Sequence, residues 1–183
     1  MPKVVFTLKS PSAQSASLSG AKGATLAKMT KAGLPIPSGF VISTKAFQAI
    51  SRKISAQLKG LKDLDASDLK ALQKISDNIR QIIEAYELPK DTIAQIKRAY
   101  NALGKPAISV RSSSTTEDLR NTSFAGQYDT FLNVSNIDDL IQNTKNVWAS
   151  LYSPHAIGYS LINKISYTKA KMAVVIQQQL TPN

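Results

Sequence analysis

Cysteine is absent from the 183-residue sequence, which excludes disulfides and thiolate metal sites. Histidine occurs once, at His155, and carboxylates are not clustered, so no metal constellation is visible. A lone histidine at a predicted helix start reads as structural. No apolar run reaches the length of a membrane span. The opening segment, MPKVVFTLKS, has too short an apolar stretch for a signal peptide and no small-residue cleavage site, so it reads as a first strand. Aromatic residues make up 7% of the chain, and the stacking motif of RNA-binding modules is missing. These absences suit a cytoplasmic protein with no membrane partner.

Acidic residues are also missing from the front of the chain. Residues 1–50 hold six lysines and no Asp or Glu; residues 51–105 hold eleven bases against seven acids; the remainder is nearly balanced. The net charge of +11 is therefore weighted to the front of the chain, where it either attracts anions such as nucleotides or phosphorylated metabolites or forms a face of solvated lysines, two readings that composition leaves equal. Nonspecific nucleic-acid binding through this charge is the weakest reading, because acids dilute it in the middle of the chain. Apolar residues, at 43%, suffice for a core, and the length fits one domain with room for two lobes.

Periodicity predicts a short strand over 3–8, a Ser/Gly/Ala-rich loop over 10–20, and a helix over Ala21–Ala32 that Gly33 stops. GLPIPSGF then forms a stiff extended turn before a strand at Phe40–Ser43 and a helix from Thr44. Leu69, Leu72, Ile75, Ile79, Ile82 and Ile83 step by three and four, as in a helix, with Ser67 as N-cap and Asp68 in its first turn. Pro89 opens a further helix that Gly104 closes. AISVRSSS and TFLNV read as strands, Ile137–Leu151 as an amphipathic helix, and Met172–Ile176 as a buried strand. A buried strand with little after it implies that a further element, or a partner, completes the domain.

Chemistry concentrates in RSSSTTEDLRNTSFAGQ, residues 111–127. Hydroxyls, guanidinium forks and backbone N–H groups at this density suit a phosphate chain. Arg111 is predicted at the C-terminal end of its strand, a common place for site residues. The alternative is a surface loop in which Thr116 caps a short helix through Glu117 and Asp118. A second candidate is SGAKGA, Ser19–Ala24, where a Gly-Ala-Lys-Gly turn enters a helix and presents N–H groups with Lys22. It lacks the spacing of a Walker A loop, and on its own an ordinary turn explains it better.

Four segments, in this order, carry a family resemblance: GAKGATLAKMTKAGLPIPSGFVIS, ISVRSSSTTEDLRNTSFAGQYDTFLNV, VWASLYSPHAIGYS and MAVVIQQQL. The chain resembles the N-terminal ATP-binding region shared by phosphoenolpyruvate synthase (pyruvate, water dikinase), rifampin phosphotransferase and, more distantly, pyruvate phosphate dikinase. FAGQ followed by TFLNV is similar to the first two; the dikinase shows Met-Met near that position.

The resemblance implies an α/β (α+β) fold: an ATP-grasp-like N-terminal lobe with a mixed sheet, flanking helices and a helical insertion around 66–104. Residues 1–183 would form the N-terminal part of the nucleotide-binding domain. It implies that Lys22 and Arg111 contact the ATP phosphates, that Gly126 and Gln127 lie near the phosphate chain, and that Gln177, Gln178 and Leu180 meet the adenine. The strand edge there would offer backbone bonds to the base. It further implies an ATP-dependent phosphotransferase of pyruvate metabolism that phosphorylates a carrier histidine and then pyruvate or another acceptor. The second ATP-grasp lobe, with the Mg²⁺ ligands, and the phosphohistidine and substrate domains would lie outside this chain, on a partner polypeptide. His155 and Ser160 stand where many relatives have Arg. The rival function is a non-catalytic or split-gene module that binds a partner polypeptide.

Overall fold

The computed structural model describes residues 2–115, 128–166 and 170–180, with the backbone of 118–119 and 122–123. Gly126, Gln127 and the Thr116–Glu117 cap lie outside the described residues. The strands are β1 (Val5–Thr7), β2 (Gly39–Ile42), β3 (Ile108–Ser114), β4 (Asp118–Leu119), β5 (Thr122–Ser123), β6 (Thr130–Val134) and β7 (Met172–Gln178). The helices are α1 (Ala16–Lys31), α2 (Thr44–Lys53), α3 (Ser55–Gly60), α4 (Leu69–Ala85), α5 (Lys90–Ala102), α6 (Ile137–Ser150) and α7 (Pro154–Ile162).

The α/β class holds, with the helical stretch between β2 and β3 as expected. The main sheet has the order β1-β2-β7-β3-β6, and β4 and β5 form a separate small hairpin. The expected mixed sheet is corrected: every neighbouring pair in it runs antiparallel. β7 inserts between β2 and β3 and opposes both, so no two parallel strands lie side by side.

Three local expectations also change. The segment 10–20 is not a plain loop; Pro11–Gln14 forms a 3-10 turn and α1 starts at Ala16. The cap of α4 is Asp68, whose side chain accepts from the Ala71 N–H, rather than Ser67. Asp65 instead accepts from the N–H and hydroxyl of Ser67, at 2.8 Å each, which takes Ser67 out of the capping position. Leu69 does not join the apolar stripe of α4: it sits in the first turn and is exposed, while Leu72, Ile79 and Ile83 are buried.

Strand alternation divides the core between the two faces of the sheet. Phe40, Ile42, Ile108, Val110, Met172, Val174 and Ile176 belong to the larger cluster, with Phe47, Leu72, Ile79, Trp148 and Tyr152 from the helices. The Phe47 ring lies 6.1 Å from Trp148 and 6.5 Å from Tyr152. Burial of such side chains contributes about 1.5–3 kcal/mol each. The other face carries a smaller cluster of Phe6, Leu8, Ala13, Ala27, Val41, Ala173 and Val175. Here α1 is the covering helix, and beyond it the face is polar.

Candidate functional site

The site is built on the α1 face of β3 and β7. Gly20 interrupts α1 with φ 67 and ψ 176. Only glycine takes that backbone at little cost. The first N–H groups of the resumed helix have no intrahelical acceptor. One is satisfied from the sheet: the Gly23 N–H donates to Ser113 Oγ at 2.9 Å, and that hydroxyl donates to the Ser19 carbonyl at 2.7 Å. Ser113 is fully buried, so these bonds form away from water. A Cβ on Gly20 would stand 2.0 Å from the Ser113 carbonyl oxygen, and one on Gly23 3.2 Å from Val175 Cγ2. The two glycines therefore let the helix approach the sheet at backbone distance.

That approach delivers Lys22. Its Nζ donates to the Ser112 carbonyl at 2.9 Å. Ser112 lies one residue past the β3–β6 ladder, which ends at the pair Arg111↔Thr130, so its carbonyl is not used by β6. The expected turn into a helix at Ser19–Ala24 is thus a kink within α1, with Lys22 held along the strand.

Arg111 is the adjacent strand residue. It stands in the middle of β3, opposite Val175 and Thr130, and not at the strand's C-terminal end as predicted. The strand runs on through Ser112, Ser113 and Ser114 because β7 pairs with all three. By register, the Arg111 side chain lies on the same face as Ser113, Val175 and Gln177. It is half-buried, and Nη1 donates to Gln177 Oε1 at 3.3 Å.

The three glutamine-strand candidates separate. Gln177 is 5% exposed, and its Nε2 donates to the Pro37 carbonyl at 3.4 Å. Gln178 is exposed and projects to the opposite face, because neighbouring strand residues alternate; its N–H donates to the Ser38 carbonyl. Leu180 follows β7 and is 70% exposed. The structure brings Lys22, Arg111 and Gln177 to one side, and leaves Gln178 and Leu180 beyond it. The predicted strand edge is corrected as well. β7 is an interior strand paired on both sides, and the Gln179 N–H is taken by the Ala107 carbonyl.

Sequence reasoning missed Ser113 as the cap of the resumed helix, Pro37 as an acceptor, and Gln179. The Gln179 amide accepts from the Asn133 N–H and donates to Asn133 Oδ1, both at 2.8 Å. The Gly20–Gly23 spacing of three residues could have indicated a helix face pressed on a strand. Nothing local distinguishes Ser113 from its neighbouring serines.

His155 is exposed in the first turn of α7, and Ser160 is buried in the same helix. Among the described residues, no three of His, Cys, Asp or Glu gather as metal ligands. No helix of the described residues is long and apolar enough to cross a membrane.

An ammonium held by the Ser112 carbonyl and the guanidinium of the preceding residue, Arg111, stand beside a glycine-kinked helix on one face of an α/β domain. Residues 16–183 match the family described as pyruvate phosphate dikinase, AMP/ATP-binding domain, and the chain belongs to that family. It is 38% identical over 172 residues to a probable phosphoenolpyruvate synthase of Methanothermobacter thermautotrophicus, covering 89% of this chain and 25% of that protein. It is 35% identical over 188 residues to a probable phosphoenolpyruvate synthase of Methanocaldococcus jannaschii, covering 96% and 16%. A rifampicin phosphotransferase of Streptomyces sviceus is 37% identical over 169 residues, covering 90% and 20%. The chain thus spans a quarter or less of the length of these curated relatives.

Proposed function

We propose that this chain forms one wall of an ATP pocket, with Lys22 and Arg111 receiving the polyphosphate. The observation that carries this reading is their shared support on β3: Lys22 reaches the Ser112 carbonyl, and Arg111 is the preceding residue. From Ser109, opposite Gln177, to Ser112 the strand covers roughly 10 Å at about 3.3 Å per residue, a span that suits a polyphosphate. Lys22 supplies a point charge and Arg111 a planar fork. Gly126 and Gln127 would adjoin the phosphates, and the adenine would lie toward Gln178 and Leu180 past the end of β7. The bound ATP supplies the phosphoryl group; this wall orients it and offsets its charge.

The chain's relatives include proteins named phosphoenolpyruvate synthase and rifampicin phosphotransferase. The whole enzyme would therefore use ATP to phosphorylate a carrier histidine and then pyruvate or another acceptor. A second ATP-grasp lobe with Mg²⁺ ligands and a phosphohistidine domain would act with this chain, which alone would bind ATP weakly and turn over little. The setting would be cytoplasmic. Calorimetric titration with Mg-ATP at low salt tests the wall: Arg111→Ala should weaken binding by about tenfold, the loss of one charged hydrogen-bonding partner. Equal binding by both proteins would sink the assignment.

A specific observation also favours the partner-binding reading. Leu132 on edge strand β6 is 59% exposed and Leu180 is 70% exposed, and each adjoins in sequence one member of the bonded Asn133–Gln179 pair. The two leucines offer a complementary lobe an apolar foothold. Sedimentation of the chain with a candidate second-lobe polypeptide, compared with Leu132→Asp, tests this: a complex unaffected by that change would place the contact elsewhere.

A further inference from the structure

Gln177 carries more structural constraint than a base-contacting residue needs. Its side-chain amide is used at both ends. Oε1 accepts from Arg111 Nη1 at 3.3 Å, while Nε2 donates to the Pro37 carbonyl at 3.4 Å. These partners fix which end is oxygen and which is nitrogen, since a guanidinium only donates and a carbonyl only accepts. The side chain is almost completely buried, between Ser109 on β3 and Gly39 on β2. Ser109 Oγ donates to the Gln177 carbonyl at 3.4 Å, fastening its backbone too. Gly39 leaves the space: a Cβ there would stand 3.1 Å from Gln177 Cγ and 2.3 Å from the Ile176 carbonyl oxygen. Pro37 belongs to the stiff Pro35-Ile36-Pro37 segment, so the far end of the link is anchored to backbone with little freedom.

We infer that Gln177 is a positioning residue for Arg111, holding the guanidinium at the phosphate end of the site, and not a ligand of the adenine ring. The inference rests on the nucleotide reading above and deepens it. A long arginine side chain on an open sheet face loses several rotors when it binds a phosphate. An acceptor that already holds one of its N–H groups lowers that loss and leaves the others facing the ligand. The amide satisfies both neighbours, its oxygen accepting from Arg111 and its nitrogen donating to Pro37. A glutamate would set a carboxylate against the Pro37 carbonyl and neutralise Arg111; a methionine would keep the volume and lose both bonds.

The test is calorimetry of the chain with ATP, AMP and adenosine for wild type, Arg111→Ala, Gln177→Met and the double variant. Gln177→Met is expected to weaken ATP about fivefold and AMP less, with adenosine unchanged; in the Arg111→Ala background its effect on ATP should fall below about twofold, as coupled residues behave. Equal losses for ATP and adenosine would overturn the inference in favour of base contact. Additive losses in the double variant would overturn it in favour of independent roles. An Arg111→Ala protein that binds ATP as wild type does would reject the nucleotide reading itself, and the positioning role with it. If Gln177→Met fails to fold, Gln177→Glu serves: ATP binding should fall through the cancelled charge while adenosine binding stays, and unchanged ATP binding would overturn the role.

Discussion

On the helical face of the sheet, Phe47, Trp148 and Tyr152 meet Ile42, Val174 and Ile176 in a broad apolar layer. On the α1 face the apolar cluster is small, and the closest approaches are made by Gly20, Gly23 and the Ser113 hydroxyl. The contrast separates two tasks. The first face supplies burial, which is nondirectional and roughly proportional to area. The second supplies directed polar groups, each with a specific neighbour. Damage to the first should cost stability, and damage to the second should cost ligand affinity before stability.

The largest effect that would sharpen this division is expected from Trp148→Ala. Trp148 is fully buried against Phe47, and its removal should cost about 3–5 kcal/mol, read by urea denaturation. A loss below 1 kcal/mol would mean that the helical face is not where the stability resides.

Gly20→Ala comes next. A methyl group at this positive-φ position would press on the Ser113 carbonyl, so α1 must lift or the kink must straighten. A cost of about 1–3 kcal/mol is expected. ATP affinity should fall further than the Arg111→Ala loss, because Lys22 moves with the helix. Circular dichroism melts beside nucleotide titration would show this; unchanged affinity would break the comparison.

The smallest expected effect lies on the surface of the helical layer. Hydrogen bonds from the Ser67 N–H, first, and its hydroxyl, second, hold the Asp65 carboxyl below its ordinary pKa of 3.8. A depressed carboxylate adds stability above its unfolded pKa, and this is lost as pH falls through the lower folded value. Asp65→Asn should therefore lower the melt slightly near neutral pH, with the difference from wild type vanishing as pH falls below the folded pKa. Carboxyl titration by NMR checks the direction: a midpoint above 3.8 would contradict it.

Much of this arrangement is readable in the sequence, and its limits have physical causes. The stripe Leu72, Ile79, Ile83 marks α4, and Pro89 and Gly104 bracket α5, because helix periodicity and punctuation are local. The family resemblance also draws attention to Lys22 and Arg111, which the fold places together. What stayed hidden is nonlocal. The end of β3 depended on β7 pairing as far as Ser114, so Arg111 seemed terminal when it is central. The opposite facings of Gln177 and Gln178 depended on β7 being a strand through that point. Ser113 looked like one more loop hydroxyl until α1 was laid across it.

The sheet order has a consequence for how the chain is made. β2 and β3 are synthesised well before β7, yet β7 lies between them. Until residues 172–178 leave the ribosome, β2 and β3 each have an unpaired apolar edge, and the lysine and arginine sites have no common floor. Pairings so distant in sequence form slowly, and exposed edges invite aggregation while they wait. α2 through α6 can pack early against one another, so the nascent protein spends its vulnerable interval as a helical layer holding an unfinished sheet.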